Sequence, residues 1–240
     1  MKLALMTYTQ VETYLQSKDS VIIPIGSVEQ HSPVGLMGTD HLIAEEIAYQ
    51  VAENIKIIAC PTLSYGMSNH HLAFPGTISI NPTTLIAVLK DIITSLVGHG
   101  FKKFYFINGH GGNIATCEAA FSELTREQDI RCKIKSWWMD PTIHQYIKEF
   151  FGDRDGHHAT PSEISQTIYF YKKAFDLPIR DFQIDRSKHH WPLSPEGFKR
   201  QFPDGRMESD PSLATYDLGK KVFEKSVEVI QKDFLDFEGL

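Results

Sequence analysis

Four short apolar runs rich in β-branched and aromatic residues limit what this chain can fold into: residues 21–25 (VIIPI), 55–59, 101–107 (FKKFYFI) and 130–138. Each has the length and composition of a strand. Stretches of helical period separate them. After Asp40 the run HLIAEEIAYQVAEN carries Leu42, Ile43, Ile47 and Val51 on one face, with Glu45 and Glu46 near its start, where they suit the helix dipole. Residues 83–97 form a second such stretch, entered through Asn81-Pro82 and ended by Gly98 or Gly100, and residues 114–126 form a third. Further helices are predicted over 9–17 and 141–151, from Pro161-Ser162-Glu163 onward, and over 213–237. Strands alternating with helices predict an α/β fold with a mostly parallel sheet between helical layers. No repeat, low-complexity tract or long linker divides the 240 residues, so a single domain over 1–240 is expected.

The balance of 24 basic against 30 acidic residues, a formal charge of −6, comes with no basic run, which argues against nucleic-acid binding. The start, MKLALMTYTQVETYL, lacks the apolar core of a signal peptide, and no stretch approaches about 18 uninterrupted apolar residues. A cytoplasmic protein without a membrane span is expected. Cys60, Cys117 and Cys132 are odd in number and widely spaced, so they read as small core residues rather than disulfides or zinc ligands.

The chemistry gathers after the strands. Residues 21–25 stop at Gly26, and Glu29, His31 and Asp40 follow; in a parallel sheet the loops leaving the carboxyl ends carry function. Glu-x-His alone would also suit a solvated turn. Residues 101–107 run into Asn108-Gly109-His110-Gly111-Gly112-Asn113, where three glycines mean close backbone approach or positive φ, with His110 projecting from the turn. That turn lacks both G-x-G-x-x-G and a Walker lysine, so phosphate cradling is the lesser reading. The loop LSYGMSNHHLAFPGTISI is long enough to be functional, and it offers Ser68, His70 and His71 as substrate contacts or supporting donors. Trp137 and Trp138 end the fourth run; tryptophans are usually core, but one here can wall a small planar ligand. Asp155, His157, His158 and Glu163 lie close together, with Glu163 in a first helical turn, and the irregular stretch 175–202, with His189-His190-Trp191-Pro192, is a candidate lid or oligomer contact.

Glu29, His31, Asp40, His110 and either His158 or Glu163 can converge on one sheet edge. Imidazole and carboxylate without thiolate suit Zn²⁺, Mn²⁺ or Fe²⁺ rather than Ca²⁺ or Mg²⁺. Five candidates favour two ions, about 3.5 Å apart and sharing a carboxylate, that activate water and polarise a carbonyl oxygen. The reaction so implied is hydrolysis of an amide or cyclic amide, with neutral His158, if it is not a ligand, carrying a proton to the departing nitrogen.

GSVEQHSPVGLMGTD, FPGTIS, NGHGGN, the H-A-x-x-x-E-x-S pattern from His158 to Ser165 and GRMESDPSLAT together resemble the creatininase (creatinine amidohydrolase) family over most of the chain. The resemblance implies an α/β/α sandwich, two divalent metals, hydrolysis of a carbon–nitrogen bond in a small-molecule amide, and a homo-oligomer such as a hexamer. Carried onto matching positions, Glu29 and His110 would hold one metal, His31 the other, Asp40 would bridge both, and His158 would be the catalytic histidine. Gly111 and Gly112 stand where creatininases carry Tyr and Glu, so Glu163 is expected to replace the missing carboxylate as ligand and to share in catalysis. Ser68, His71, Trp137 and Gly111 are the expected substrate contacts. Asn69-His70-His71 also departs from the usual Glu-His, and His-Ala-Thr-Pro from His-Ala-Gly, which points away from creatinine itself. Other family members resemble a formamidopyrimidine-nucleotide deformylase or a peptidase that trims a redox-cofactor precursor. A non-catalytic binding protein on the same scaffold is the alternative from another class.

Overall fold

The structure is a computed structural model that describes residues 1–175 and 193–239; His189, His190, Trp191 and most of the stretch expected to be a lid or oligomer contact lie outside the described residues. In chain order the main elements are α1 (Tyr8–Leu15), β1 (Ser20–Ile25), α2 (Thr39–Ile55), β2 (Ile58–Ala59), α3 (Pro82–Gly98), β3 (Lys103–Asn108), α4 (Asn113–Glu127), β4 (Arg131–Ser136), α5 (Pro141–Phe151), α6 (Pro161–Tyr171), α7 (Pro195–Gln201) and α8 (Tyr216–Glu238).

All described strand pairs are parallel, in the order β2-β1-β3-β4. The chain steps from β1 to β2 on one side, then crosses to β3 on the other. The carboxyl ends of β1 and β3 therefore flank a topological switch point, the place where open α/β sheets bind ligands. β1 is buried at every position, as a central strand must be. Pro24 is tolerated within it because β2 pairs only with Val21 and Ile22 and has ended on that side, while the Pro24 carbonyl still accepts from Leu63 N at 3.0 Å.

The period-two alternation of the strands sorts the core into two layers. Ile22, Tyr105 and Ile107 face α2, α5 and α8 through Ile43, Ile47, Ile143, Ile147, Val222 and Ile230. Val21, Ile23, Ile25, Phe104 and Phe106 face α1, α3 and α4 through Tyr14, Leu85, Leu89, Ile93 and Ala120. The result is the expected three-layer α/β/α sandwich. α6 packs on α8 and α2, and α7 lies beside the short turn Asn69–His71. No helix among the described residues is long and apolar enough to cross a membrane.

Three expectations shift. The run 55–59 yields only a two-residue strand, because α2 keeps Val51 and Ala52 in the core and continues to Ile55, ending where Lys56 turns left-handed at φ 57. β4 stops at Ser136, the last residue in register with β3, and Trp137–Met139 curl into a 3-10 turn. Residues 195–201, expected to be irregular, form α7 behind a Ser194 cap. Cys60 and Cys117 are buried, Cys132 partly so, and burial pushes all three thiols up to about 12, which leaves them unreactive.

The turn after β3 lies directly on the first turn of α2. A Cβ at Gly109 would stand 2.0 Å from the Asp40 carbonyl oxygen, whereas one at Gly111 meets nothing within 4 Å. Gly109→Ala is expected to destabilise the fold by about 1–3 kcal/mol, the usual cost of overpacking, and Gly111→Ala to stay within about 0.5 kcal/mol of the parent. Denaturant midpoints at constant slope measure the difference, and equal midpoints for the two variants would contradict the close contact.

Candidate metal centre

Each donor is placed by the backbone just past a strand or at a helix start. Beyond β1, Glu29 N bonds to the Met37 carbonyl at 2.9 Å, and the residue after His31, Ser32, sits at φ 62, a strained conformation for a non-glycine residue. Asp40 falls in the first turn of α2. Beyond β3, Asn108 folds the glycine turn on itself: its Oδ1 accepts from His110 N at 3.1 Å, and its Nδ2 donates to the His110 carbonyl at 2.8 Å and to Ser136 Oγ at 2.9 Å. Asn113 fastens that turn to β1, donating to the Gly26 carbonyl at 3.0 Å and accepting from Met67 N at 3.1 Å. The turn is thus held on the sheet side by Asn108 and Asn113, with Gly111 left open to solvent. On α6 a capping box fixes Glu163: Thr160 Oγ1 accepts from Glu163 N at 3.1 Å while Thr160 N donates to Glu163 Oε2 at 2.9 Å.

These anchors bring the donors together. Ligand atoms of Glu29, Asp40 and His110 lie within 4.8 Å of one another, and so do those of His31, Asp40 and Glu163, and those of Glu29, His31 and His158. Asp40 belongs to two of the sets, with Oδ1 3.0 Å from His31 Nε2 and Oδ2 3.2 Å from His110 Nδ1. Three imidazoles each place one nitrogen on a backbone carbonyl: His31 Nδ1 on Glu29 at 3.1 Å, His110 Nε2 on Met67 at 2.9 Å and His158 Nε2 on Gln30 at 2.8 Å. Their other nitrogens face the carboxylates, the pattern that orients metal-binding histidines.

The electrostatics fit a cation as well. Burial alone would raise Glu29, but the imidazoles of His110 and His71 outweigh it and hold the carboxyl well below its usual range. Burial alone would lower His31, but Asp40 outweighs it and lifts the imidazole to about 9. His110 rises in the same way against its own burial, through Glu29 and Asp40. Burial raises Glu163, while burial and the neighbouring His71 and His31 hold His158 low and neutral. His31 Nε2 and Asp40 Oδ2, both buried, lack an aligned hydrogen bond. Three carboxylates with their partners turned toward one another form a cluster that calls for positive charge at its centre, and the residues present suit divalent ions.

A cavity of about 560 Å³ opens above this cluster, lined by Glu29, Asp40, His110, His158 and Glu163 at its floor. Trp137 is fully buried in the core and also lines the cavity beside Trp138, and Gly111 borders open space. Ser68 and His71, expected to contact substrate, do not line it. Both instead brace Glu29: Ser68 Oγ donates to Glu29 Oε2 at 2.5 Å, and His71 Nε2 stands 3.3 Å from Oε1. Sequence reasoning missed Asn108, Asn113, Thr160 and Gln30, although NGHGGN brackets its histidine with asparagines and Thr160-x-x-Glu163 is a capping signature. His144 and Lys148 on α5 and Glu208 on the C-terminal segment were missed too; they form part of the rim.

The family model for creatininase, creatinine amidohydrolase, matches residues 4–233. The chain is 30% identical to the creatinine amidohydrolase of Pseudomonas putida over 188 residues, 72% of each chain. It is 35% identical to a mycofactocin precursor peptide peptidase of Mycolicibacterium smegmatis over 113 residues, 45% of each. Among solved structures, creatinine amidohydrolase superposes with a TM-score of 0.82 at 25% identity, covering 98% of this chain and 96% of that one. A creatininase with Mn gives 0.82 and a variant of Zn-Zn type 0.80, each at 25% identity over 98% of this chain and 97% of the other. With the likeness running nearly end to end, and the polar side chains past β1 and β3 forming one buried cluster, this chain belongs to the creatininase family of amidohydrolases.

Proposed function

We propose that the protein hydrolyses a carbon–nitrogen bond of a cyclic or linear amide other than creatinine, with Glu29, Asp40 and His110 holding one divalent cation and His31, Asp40 and Glu163 a second. The observation that carries this is that Asp40 belongs to both of these donor sets. The mix of imidazole and carboxylate suits zinc, with manganese or iron as companion. When bound, such a pair polarises the scissile carbonyl and makes water nucleophilic near neutral pH.

The chain's own groups do the rest. His158 Nδ1 faces the cluster 3.7 Å from Glu29 Oε1, where it takes a proton from the attacking water and returns it to the nitrogen as the carbon–nitrogen bond breaks. Glu163 keeps one carboxylate oxygen on its helix cap and has the other for a cation. Trp137 and Trp138 wall the cavity, with ring centroids 5.8 Å apart. A linear amide, as in a formamide or peptide, is the second reading. It is favoured by the open space at Gly111 and by the likeness to the precursor peptide peptidase. Homo-oligomeric assembly, as a hexamer, and a cytoplasmic location complete the proposal.

Metal analysis tests the ligands. Asp40→Ala is expected to lose both ions, Glu163→Ala one of them, and His158→Ala neither. Purified protein that retains no zinc, manganese or iron would favour a binding protein on the same scaffold. Chelation is expected to lower Tm and ion return to restore it; an ion at a hundredfold its Kd contributes about 2.7 kcal/mol. A Tm indifferent to chelator would remove the structural argument for the ions.

Turnover tests the mechanism. In a screen of lactams, formamides and short peptides with zinc- and manganese-loaded protein, His158→Ala is expected to lose about 10²–10⁴-fold in kcat. Full activity in that variant would take His158 out of the reaction.

A further inference from the structure

Gln30 lies between two proposed ligands in sequence, and its side chain is buried behind them. Two backbone groups fix which way its amide points. Ser32 N donates to Gln30 Oε1 at 2.9 Å, and Gln30 Nε2 donates to the Gly205 carbonyl at 2.9 Å. A flipped amide would set donor against donor and acceptor against acceptor at both contacts.

That orientation has a consequence for the neighbouring imidazoles. Gln30 Nε2 has two hydrogens: one goes to the Gly205 carbonyl and, with His158 Nε2 engaged by the Gln30 carbonyl at 2.8 Å, the other goes to His71 Nδ1 at 2.9 Å, which is therefore bare. The His71 proton then resides on Nε2, aimed at Glu29 Oε1. The main-chain carbonyl of Gln30 meets His158 Nε2 at 2.8 Å, and a carbonyl can only accept, so the His158 proton resides on Nε2 as well. The 3.0 Å approach of Gln30 Nε2 to His158 Nε2 is accordingly a contact between two donors, not a hydrogen bond.

We propose that Gln30 is a positioning residue that sets the protons of both imidazoles: its side chain makes His71 a donor to Glu29, and its carbonyl leaves His158 Nδ1 as the proton acceptor facing the cluster. The role is built into the backbone around it. Gly205 has φ +81, and a Cβ there would stand 1.8 Å from Gln30 Oε1, so the C-terminal segment closes on the amide and leaves no space for another arrangement. His71 in turn holds Glu29 from one side while Ser68 holds it from the other. The part of the proposal that concerns His158 as proton carrier rests on the hydrolase reading above; the proton placements do not.

Nitrogen NMR of histidine-labelled protein, as purified and zinc-loaded, reads each imidazole's protonated nitrogen directly. In the native protein both His71 and His158 are expected to carry the proton on Nε2. Gln30→Met, similar in volume but without the donor, is expected to release His71 into mixed tautomers while His158 stays as it was. Gln30→Glu, which presents an acceptor to His71 Nδ1, is expected to draw the proton to that atom. Zinc content is expected to hold in both variants, and kcat to fall about 10–100-fold, the range for partners that orient metal ligands, with KM little changed. A native His71 protonated on Nδ1, or a His71 pattern unaltered in both variants, overturns the proposal. If the native protein turns over no amide, the hydrolase reading fails while the spectra still decide the role of Gln30.

Discussion

Two carboxylates buried at one end of a sheet, with a third half-buried beside them, are the constraint on which the rest of this structure depends. Glu29 and Asp40 are 1% and 3% exposed, and Glu163 joins them from α6. Two of the three sit in first helical turns, where the helix dipole favours negative charge. That contribution is about 0.3–1 kcal/mol each and at most ~2. The effective penalty for burying an ion is several kcal/mol, so the dipoles cannot balance it. Imidazoles drawn in between the carboxylates can, by taking protons, and divalent cations can by replacing them. The arrangement therefore makes sense as a cation site and makes little sense as packing.

Much of the preorganisation comes from the main chain. Of the four imidazoles facing the carboxylates, His31, His110 and His158 rest on backbone carbonyls that follow β1 or lie in the loop that Asn113 fastens to it, and His71 rests on the Gln30 side chain. His158, far along the chain from β1, is brought to the cluster by the C-terminal segment. His157 N bonds to the Met207 carbonyl at 2.8 Å, Ser209 Oγ donates to the His158 carbonyl at 2.6 Å, and Arg154 pairs with Asp210 behind them. Ala159, immediately after His158, is held at φ 52, which costs about 1–2 kcal/mol for a residue with a Cβ. A strained backbone beside two of the imidazoles, at Ser32 and Ala159, fits a centre whose geometry is imposed by its surroundings.

The sandwich was legible in the sequence because strand and helix periods are local. β1 and β3 read directly from their β-branched and aromatic runs, and the cluster's members from carboxylates and imidazoles just past strand ends. For Ser68 and His71 the sequence left substrate contact and supporting donor both open, because polarity in a loop says nothing about whether a side chain faces a ligand or another side chain; the structure turns both toward Glu29. Gln30 was invisible for a different reason. Its carbonyl and side chain bond to His158 and Gly205, 128 and 175 residues away, and no periodicity encodes a contact over that distance. β2 shrank to two residues because α2 runs one residue past its expected end, to Ile55, and Lys56 leaves the helix left-handed before the strand starts.

Floor and rim of the cavity come from different parts of the chain, and that separation bears on how one fold serves several reactions. The floor is built by the turns after β1 and β3 and by the start of α6, all tied to the sheet or to one another. The rim is drawn from α5 through His144 and Lys148, from the following turn through Asp153, and from the C-terminal segment through Glu208. Changes at the rim leave the donor set untouched, because none of those side chains holds Glu29, His31, Asp40 or His110 in place. Relatives of this chain are named for creatinine and for a precursor peptide, so the likeness does not tie the scaffold to one substrate.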